Sequence, residues 1–572
     1  MSQIETSLVN EIESPGAPTE GAIRGSQTAR WRRMVLLLAV LAVAGLMISR
    51  GITKGEFHLN TDEAHHAATG LFFADLLSDL PLKSPVHYAY VYYAHYPVLS
   101  LVHWPPFFYL LEGLTFLTLG PSVVSARLLV LLFALFGFYF WFKLIRESAN
   151  EWTAALSTLV LAFLPFLLLY ERAVMLEVPS LALSMAASYL WIKYLEEEQK
   201  RYAFWFAALA SLALLTKQNS IYLGMFCLLT AIARGKWRVI LKRDTIVALG
   251  LFLVAVGPYY VLATRLHWKD MAYSIAKRSV EGNPYVYYWT VLPGQLGLLL
   301  LGLSLIGMAT SLWWAKRETV LIMLAWIASC YITFTLLAGK EPRYIVYWLP
   351  PFVYFAVGPF TSGSLARRIR PVAVFLAVAL LVSRGWVAWS YERPYLSGYA
   401  PAAKWITQNY DSGIVLYDAD LAANFCFFLR AYDPARRYIV LRKALYAVRE
   451  NKDWGSTEFV RSVDDLQALI DRYGIKYIVL GDIPLDFKSQ QLLREYVQTP
   501  RFKVAAFFPI HANVPKLQGH RLVIYENLDV KPVSSGVLRI TLMTLNRDIE
   551  VSLRELGLHP PVSRNVNGET KQ

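Results

Sequence analysis

The sequence predicts a mainly α, polytopic membrane protein of about 11 transmembrane helices, followed by a soluble α/β domain. Three observations predict it. Of 572 residues, 56% are hydrophobic and only 17% charged, whereas soluble domains carry about 25% charged residues. Apolar runs recur at 34–49, 123–142, 153–170, 174–192, 203–216, 219–233, 244–263, 289–314, 319–338, 343–360 and 370–390, and a spanning helix needs about 20 such residues. From Pro394 the composition turns polar, with strand-like and helix-like stretches in alternation. A soluble enzyme, a disordered chain and a small secreted scaffold are excluded.

Residues 1–29 are polar and read as a disordered cytoplasmic leader. Arg30, Arg32 and Arg33 then precede the first apolar run, which reads as a retained anchor with its N-terminus inside. The run 105–119 is short and opens on Pro105 and Pro106. If it does not cross, the clusters Lys143/Arg146, Lys193/Lys200/Arg201, Arg234/Lys236/Arg238/Lys242/Arg243, Lys316/Arg317 and Arg367/Arg368/Arg370 all share the side of Arg30–Arg33. That arrangement obeys the positive-inside rule, and a crossing would invert it and make 12 spans. The net charge of +14 is therefore assigned to cytoplasmic loops rather than to a nucleic-acid partner. The transmembrane domain is expected over 30–392, with outer loops 50–104 and 264–288, an extracytoplasmic domain over 393–530 and an extension over 531–572. The expected location is the inner (plasma) membrane. Cys227, Cys330 and Cys426 are too few and too scattered for a disulfide framework or a cysteine metal site.

The outer face gathers the chemistry. Asp62 and Glu63 are adjacent, so on a helix over 62–77 they point about 100° apart, and one faces a cleft while the other orients a neighbour. Asn60 or Thr61 is placed to cap that helix. Asp62 and His66 share a face at i,i+4 and are the weak candidates for a metal, although no spacing matches a zinc signature. Six of the ten histidines, His58, His65, His66, His87, His95 and His103, fall in this loop. Glu171, Arg172 and Glu177 lie between apolar runs, where ionisable groups are costly unless they face a polar cavity or one another. Lys217 stands alone between two short apolar runs, on the side where the positive-inside rule disfavours a cation, and such a position suits an anionic lipid phosphate. Arg343 offers a planar fork for phosphate oxygens, with pairing to Glu341 as the plain alternative. The bland readings are a helix-dipole charge for Asp62/Glu63, interfacial anchors for the histidines and a snorkelling lysine for Lys217. Together the residues offer a carboxylate base, two cations for a phosphate and a lipid-accessible flank, which is what transfer from a membrane-bound phosphate ester requires.

Asp62-Glu63, His103-x-Pro105-Pro106, Ala126-Arg127-Leu128, Leu214-x-Thr216-Lys217 and Arg343-Tyr344 with Leu349-Pro350, in this order across residues 34–390, resemble the GT-C glycosyltransferases that use polyprenyl-phosphate sugars, the protein mannosyltransferase and lipid A aminoarabinose transferase superfamily. The resemblance implies a GT-C-like fold and an inverting sugar transfer on the non-cytoplasmic face to a hydroxyl or amine. It implies Asp62 as general base with Glu63 beside it, and Lys217 and Arg343 on the donor phosphate. Tyr344, His103, Glu177 and Arg172 would complete the donor site. Many relatives have Asp at the Glu177 position. Some aminoarabinose-type members carry Lys where this chain has Trp104, which argues against that specificity. No tightly bound cofactor is expected; a divalent metal is left open. Partners are membrane lipid, the polyprenyl-phosphate sugar and an acceptor of unidentified class. The rivals are a diphosphate-linked glycan transferase or ligase, and a lipid-sugar transporter or flippase, which would keep its ionisable residues near the bilayer midplane.

In the tail, 413–417, 438–441, 474–480 and 521–525 read as strands and 463–470 as a helix, with a further alternating stretch at 537–542. There is no Gly-rich phosphate loop and no G-x-S-x-G, so the domain reads as an acceptor-side or assembly module.

Overall fold

The computed structural model describes residues 20–558, apart from 60, 277–282, 338, 443, 449–455, 534–535 and 543–546. Most of the leader, residues 1–19, and the last residues, 559–572, therefore lie outside the described residues, as does Asn60. From Glu20 the chain is helical: α1 (Glu20–Ser49) runs through Arg30–Arg33 into the first apolar stretch.

A juxtamembrane pair follows, α2 (Asp62–Asp79) and α3 (Pro85–His95), then α4 (Phe107–Leu119). Thr61 takes a left-handed φ of 61° and its side chain caps nothing. The central helices are α5 (Val123–Ser148), α6 (Glu151–Ala162), α7 (Pro165–Glu171), α8 (Glu177–Glu197), α9 (Lys200–Leu214) and α10 (Tyr222–Ala233). After them come α11 (Arg243–Ala276), α12 (Tyr287–Leu296), α13 (Leu298–Ala309), α14 (Ser311–Trp314), α15 (Arg317–Leu336), α16 (Leu349–Thr361) and α17 (Gly363–Ser390). Helix α11 carries the chain well into 264–288, the stretch expected to be loop.

The expectation of about 11 spans is not met. Among the described residues five helices are long and apolar enough to cross a membrane, in α1, α5, α11, α15 and α17, or up to seven if each of two bent pairs is one span. The reason is that an apolar run records composition, not continuity. The run 153–170 breaks between α6 and α7 with a bend of 71°, where Pro165 opens the new helix. The run 289–314 breaks at Gly297, whose φ is 79°, and turns through 111°. The run 343–360 starts as a 3-10 helix over Pro342–Trp348 and leaves α16 only 13 residues. Helices α4 and α10 are short, and α8 lies packed inside the protein with Ser180, Ser184 and Ser188 buried along it.

Close contact holds α2 against α4: a Cβ on Gly113 would stand 2.8 Å from the Ala74 amide nitrogen, so no side chain fits there. This fixes the helix that opens with Asp62.

The soluble region opens with a short strand, β1 (Leu396–Ser397), and helix α18 (Tyr399–Asn409). Its core is a five-stranded sheet. The chain passes through β2 (Gly413–Asp418), α19 (Ala422–Tyr432), β3 (Tyr438–Leu441), the hairpin β4 (Tyr446–Val448) and β5 (Ser456–Glu458), α20 (Val463–Arg472), β6 (Tyr477–Gly481) and α21 (Lys488–Tyr496). Strands β7 (Phe502–Pro509), β8 (His511–Ala512) and β9 (Arg521–Asn527) follow, then the hairpin β10 (Val537–Leu542) and β11 (Arg547–Ser552). The sheet order is β3-β2-β6-β9-β7. Strands β3, β2 and β6 are parallel; β9 runs antiparallel to β6, and β7, antiparallel to β9, again runs in the direction of the first three. The parallel strands are buried and almost wholly apolar, as strands covered on both faces must be. The architecture is thus a mainly α fold with a soluble β-rich region.

Three contacts seat this region on the juxtamembrane segment. The Glu56 carboxylate accepts from the amides of Gly398, Tyr399 and Ala400 at 3.0, 3.1 and 3.0 Å, at the start of α18. Arg430 of α19 grips Asp75 of α2 with both guanidinium arms, the Nε bond being 2.9 Å, and Tyr92 donates to the same carboxylate at 2.6 Å. His95 Nδ1 meets the Tyr438 carbonyl at 2.9 Å.

Candidate active site

Asp62 is the first residue of α2, with its side chain part-exposed, and Arg343 Nη1 donates to its Oδ2 at 2.7 Å. The same guanidinium donates from Nε to Glu341 at 2.5 Å and stands 3.6 Å from Glu177 Oε1. Glu177, at the head of α8, accepts from Lys217 Nζ at 2.6 Å, and both are buried. Four separated segments therefore meet in one chain of charges: Asp62, Arg343, Glu177, Lys217. Burial lowers the Lys217 ammonium from its usual range despite Glu177 beside it. For Arg343, burial acts downward, but Glu177, Asp62 and Glu341 outweigh it and raise the guanidinium further.

Aromatic rings wall the site. Lys217 Nζ lies 5.1 Å from the Trp104 ring centroid and 5.8 Å from that of Tyr344. Tyr344 donates its hydroxyl to Glu341 at 3.3 Å. His103 stacks edge-on against Trp104, with centroids 4.8 Å apart. His66 Nδ1 meets the Tyr109 hydroxyl at 2.7 Å. Burial, with Lys217 and Arg343 adding to it against Glu177, lowers its imidazole to about 3, so His66 is neutral at working pH. Among the described residues no three His, Cys, Asp or Glu side chains gather as a metal-ligand set.

Glu63 turns away from this cluster and is fully buried. It accepts from Arg127 Nε at 3.0 Å and Arg393 Nη1 at 3.3 Å, and from the amides of His58, Leu59 and Val174 at 2.8, 3.1 and 3.3 Å. Burial would raise its carboxyl, but the two arginines and the His58 and Leu59 amides hold it at about 2. Arg127 also donates to the carbonyls of Ile52, Lys54 and Glu56 at 2.9, 3.0 and 2.7 Å, which shapes the loop before α2.

Of the residues singled out in the sequence, Asp62, Glu177, Lys217, Arg343, Tyr344 and His103 lie at or beside the cluster. Arg172 does not: it donates to the carbonyls of Met47 at 2.5 Å, Tyr391 at 3.0 Å and Ala388 at 3.4 Å, tying the ends of α1 and α17 together. Sequence reasoning missed Arg393, Glu112 and Tyr109. Arg393 lies 330 residues from its partner Glu63, and no local signal joins them. Glu112 sits fully buried inside α4 with neither carboxyl oxygen hydrogen-bonded; a lone Glu in an apolar run was its signal.

Comparison with known proteins bears on this arrangement. Residues 103–261 match the family model described as dolichyl-phosphate-mannose-protein mannosyltransferase. An uncharacterized protein of Aquifex aeolicus (strain VF5) is 23% identical over 295 residues, 49% of this chain and 57% of that protein, so the chain spans little more than half of its length. ArnT from Cupriavidus metallidurans bound to undecaprenyl phosphate is similar with a TM-score of 0.56 and 16% identity, over 85% of this chain and 98% of that one. Its apo state gives 0.56 and 17%, over 86% and 99%. The Archaeoglobus fulgidus oligosaccharyltransferase, in complex with Zn and sulfate, gives 0.50 and 12%, over 77% and 67%. At these identities the structural likeness is one of fold. In fold the chain is similar to ArnT and to the oligosaccharyltransferase, and over residues 103–261 it matches the mannosyltransferase family model.

Proposed function

We propose that the protein is an integral membrane glycosyltransferase that moves a sugar from a polyprenyl-phosphate donor to an acceptor hydroxyl or amine on the extracytoplasmic face, with inversion. The observation that carries this reading is the single guanidinium of Arg343, which touches Asp62 at 2.7 Å and reaches Lys217 through Glu177. Base and phosphate-binding cations thus occupy one cluster.

Asp62 acts as general base, taking the acceptor proton as the nucleophile bonds to the anomeric carbon. On the opposite face of the sugar the carbon–oxygen bond to phosphate breaks, and the phosphate leaves with the electron pair. Lys217 and Arg343 stabilise that growing charge. A donor phosphate at Arg343 competes with Asp62 for the guanidinium, so donor binding frees the carboxylate that must act next. Glu63 is a positioning residue that fixes the turn before α2 through Arg127 and Arg393. Glu177 holds Lys217 in place, and Trp104, His103 and Tyr344 wall the sugar site. Support for the donor class comes from ArnT, solved with undecaprenyl phosphate bound.

Orientation follows from charge. Helix α1 is long and apolar enough to cross once between Arg30–Arg33 and Glu56, and Glu56 holds the start of α18, so the soluble region lies across the membrane from those arginines, whose side the positive-inside rule makes cytoplasmic. The protein is then a multi-pass plasma-membrane protein with its β-rich region outside.

The test is donor consumption by purified protein in native lipid, supplied with radiolabelled polyprenyl-phosphate and polyprenyl-diphosphate sugars. Wild type should release one sugar; Asp62→Asn should lose about 100-fold or more in rate while still binding the donor, and Lys217→Ala should lose binding. A parallel assay with chelator reads out metal dependence. Full activity in Asp62→Asn overturns the base assignment. Consumption of diphosphate donors alone points to a glycan ligase, and binding without consumption in the presence of acceptors points to a flippase.

A further inference from the structure

At the opposite end of the helices from Asp62 lie two adjoining cavities of contrasting chemistry. One, of about 700 Å³, is a half-open groove bounded by α1, α6, the end of α16 and α17. Leu36, Val40, Leu156, Leu159, Val374 and Leu381 are typical of its walls; its polar lining is Thr361, Ser362 and Arg370. The other, of about 520 Å³, is polar, lined by Arg33, Arg146, Glu147, Asn150 and Glu151. Trp152 belongs to both and joins them.

The position in the fold is unambiguous. The walls come from the middle of α1, from α6, from the first two thirds of α17 and from the C-terminal end of α16. The other ends of α1 and α17 are those that Arg172 ties together near the active-site frame.

Charge selects the occupant. Arg33 Nε donates to Glu151 at 2.6 Å, and Glu147 is shared by Arg146 at 3.3 Å, Lys193 at 3.5 Å and the Tyr189 hydroxyl at 3.1 Å. Both carboxylates are thus already matched by cations. Arg370 is exposed and has no carboxylate or carbonyl partner among the described residues, and it lines an otherwise apolar, half-open groove. A guanidinium beside hydrocarbon is costly unless an anion meets it. An apolar groove with one unmatched cation, adjoining a polar pocket, suits an amphiphile bearing one net negative charge. A quaternary ammonium headgroup would find no carboxylate there that is not already paired.

We propose that these cavities seat one anionic diacyl glycerophospholipid, its acyl chains between α1, α6 and α17 and its phosphate on Arg370, with the headgroup in the pocket of Arg33 and Arg146. The lipid braces α1 against α17 at the end away from Arg172. Its leaflet, the cytoplasmic one, rests on the orientation proposed above; the site itself does not rest on the transfer reaction.

The test uses the full chain, delipidated in detergent and titrated with phosphatidylglycerol or phosphatidylcholine, with native mass spectrometry counting bound lipid. One phosphatidylglycerol per chain should be retained where phosphatidylcholine is not. Arg370→Gln should weaken retention roughly fivefold, the effect of one cation near a lipid phosphate. Ala377→Trp, which fills the groove, should abolish it. Glycerol 3-phosphate should not displace the lipid. Equal retention of both lipids, or unchanged retention in Arg370→Gln, overturns the proposal. Displacement by glycerol 3-phosphate alone would reduce the site to one for free phosphate and overturn it as well. Donor consumption is measured separately, so failure here leaves the transfer reading untouched, and the reverse.

Discussion

At the scale of single residues, the adjacent carboxylates of Asp62 and Glu63 show how one helix start divides two jobs. The 100° between neighbours on a helix sends Asp62 to the part-exposed cluster and Glu63 into the interior. There, two arginines and three amides meet one carboxylate. Removing its charge leaves Arg127 and Arg393 buried without a counter-charge, so Glu63→Gln should cost about 3–5 kcal/mol of stability at neutral pH. The pH dependence has a definite sign. The folded-state value, about 2, lies below the usual 4.5, so the stabilisation is complete above about pH 4.5 and is lost as pH falls toward 2. Unfolding of wild type and Glu63→Gln in detergent, compared from pH 3 to 8, should show a gap that is constant above pH 5 and narrows below 4.5. A gap that stays constant to pH 3 would show that Glu63 does not carry this charge interaction.

Elements transmit that order. Helix α2 is held on one side by α4, through the close approach at Gly113, and on another by α19, through Asp75 and Arg430. The soluble region is thereby fastened to the helix that begins with Asp62. Arg430→Ala strands Asp75, a buried carboxylate whose remaining partner is the Tyr92 hydroxyl, and should loosen the docking by about 3–5 kcal/mol. Limited proteolysis of the 390–398 connection should then speed up under native conditions while cleavage within α5 or α15 stays unchanged. If the connection is cleaved no faster than in wild type, the Asp75–Arg430 pair does not govern docking. The broken helices have a related cause: Pro165 and Gly297 interrupt runs whose composition is continuous, and the bends leave helices too short to span.

At the scale of the whole molecule, the bundle separates its chemistry by end. The Asp62–Lys217 cluster and the β-rich region share one end, and the basic rim around Arg33, Arg146 and Arg370 occupies the other. Cysteine labelling checks the orientation, with little background since Cys330 and Cys426 are buried and Cys227 is partly so. A membrane-impermeant maleimide should label Lys404→Cys in intact cells opened only at their outer layers, and Arg201→Cys only after the membrane is permeabilised. The reverse pattern inverts the protein and moves the transfer site to the cytoplasm.

The sequence by itself determined that the chain is a membrane-associated protein with long apolar helices and which charged residues stand out against apolar surroundings. Asp62, Glu177, Lys217 and Arg343 were legible one by one, because an ionisable group in an apolar run is costly wherever it lies. Tertiary structure decided which of them meet. Arg343 reaches Asp62 across 281 residues and Arg393 reaches Glu63 across 330, pairings that no local pattern encodes. It also removed Arg172 from the site and reduced the number of spans. Hydropathy integrates composition along the chain, whereas a span is decided by unbroken helix length, and a charged side chain's role is decided by the partner that folding brings to it.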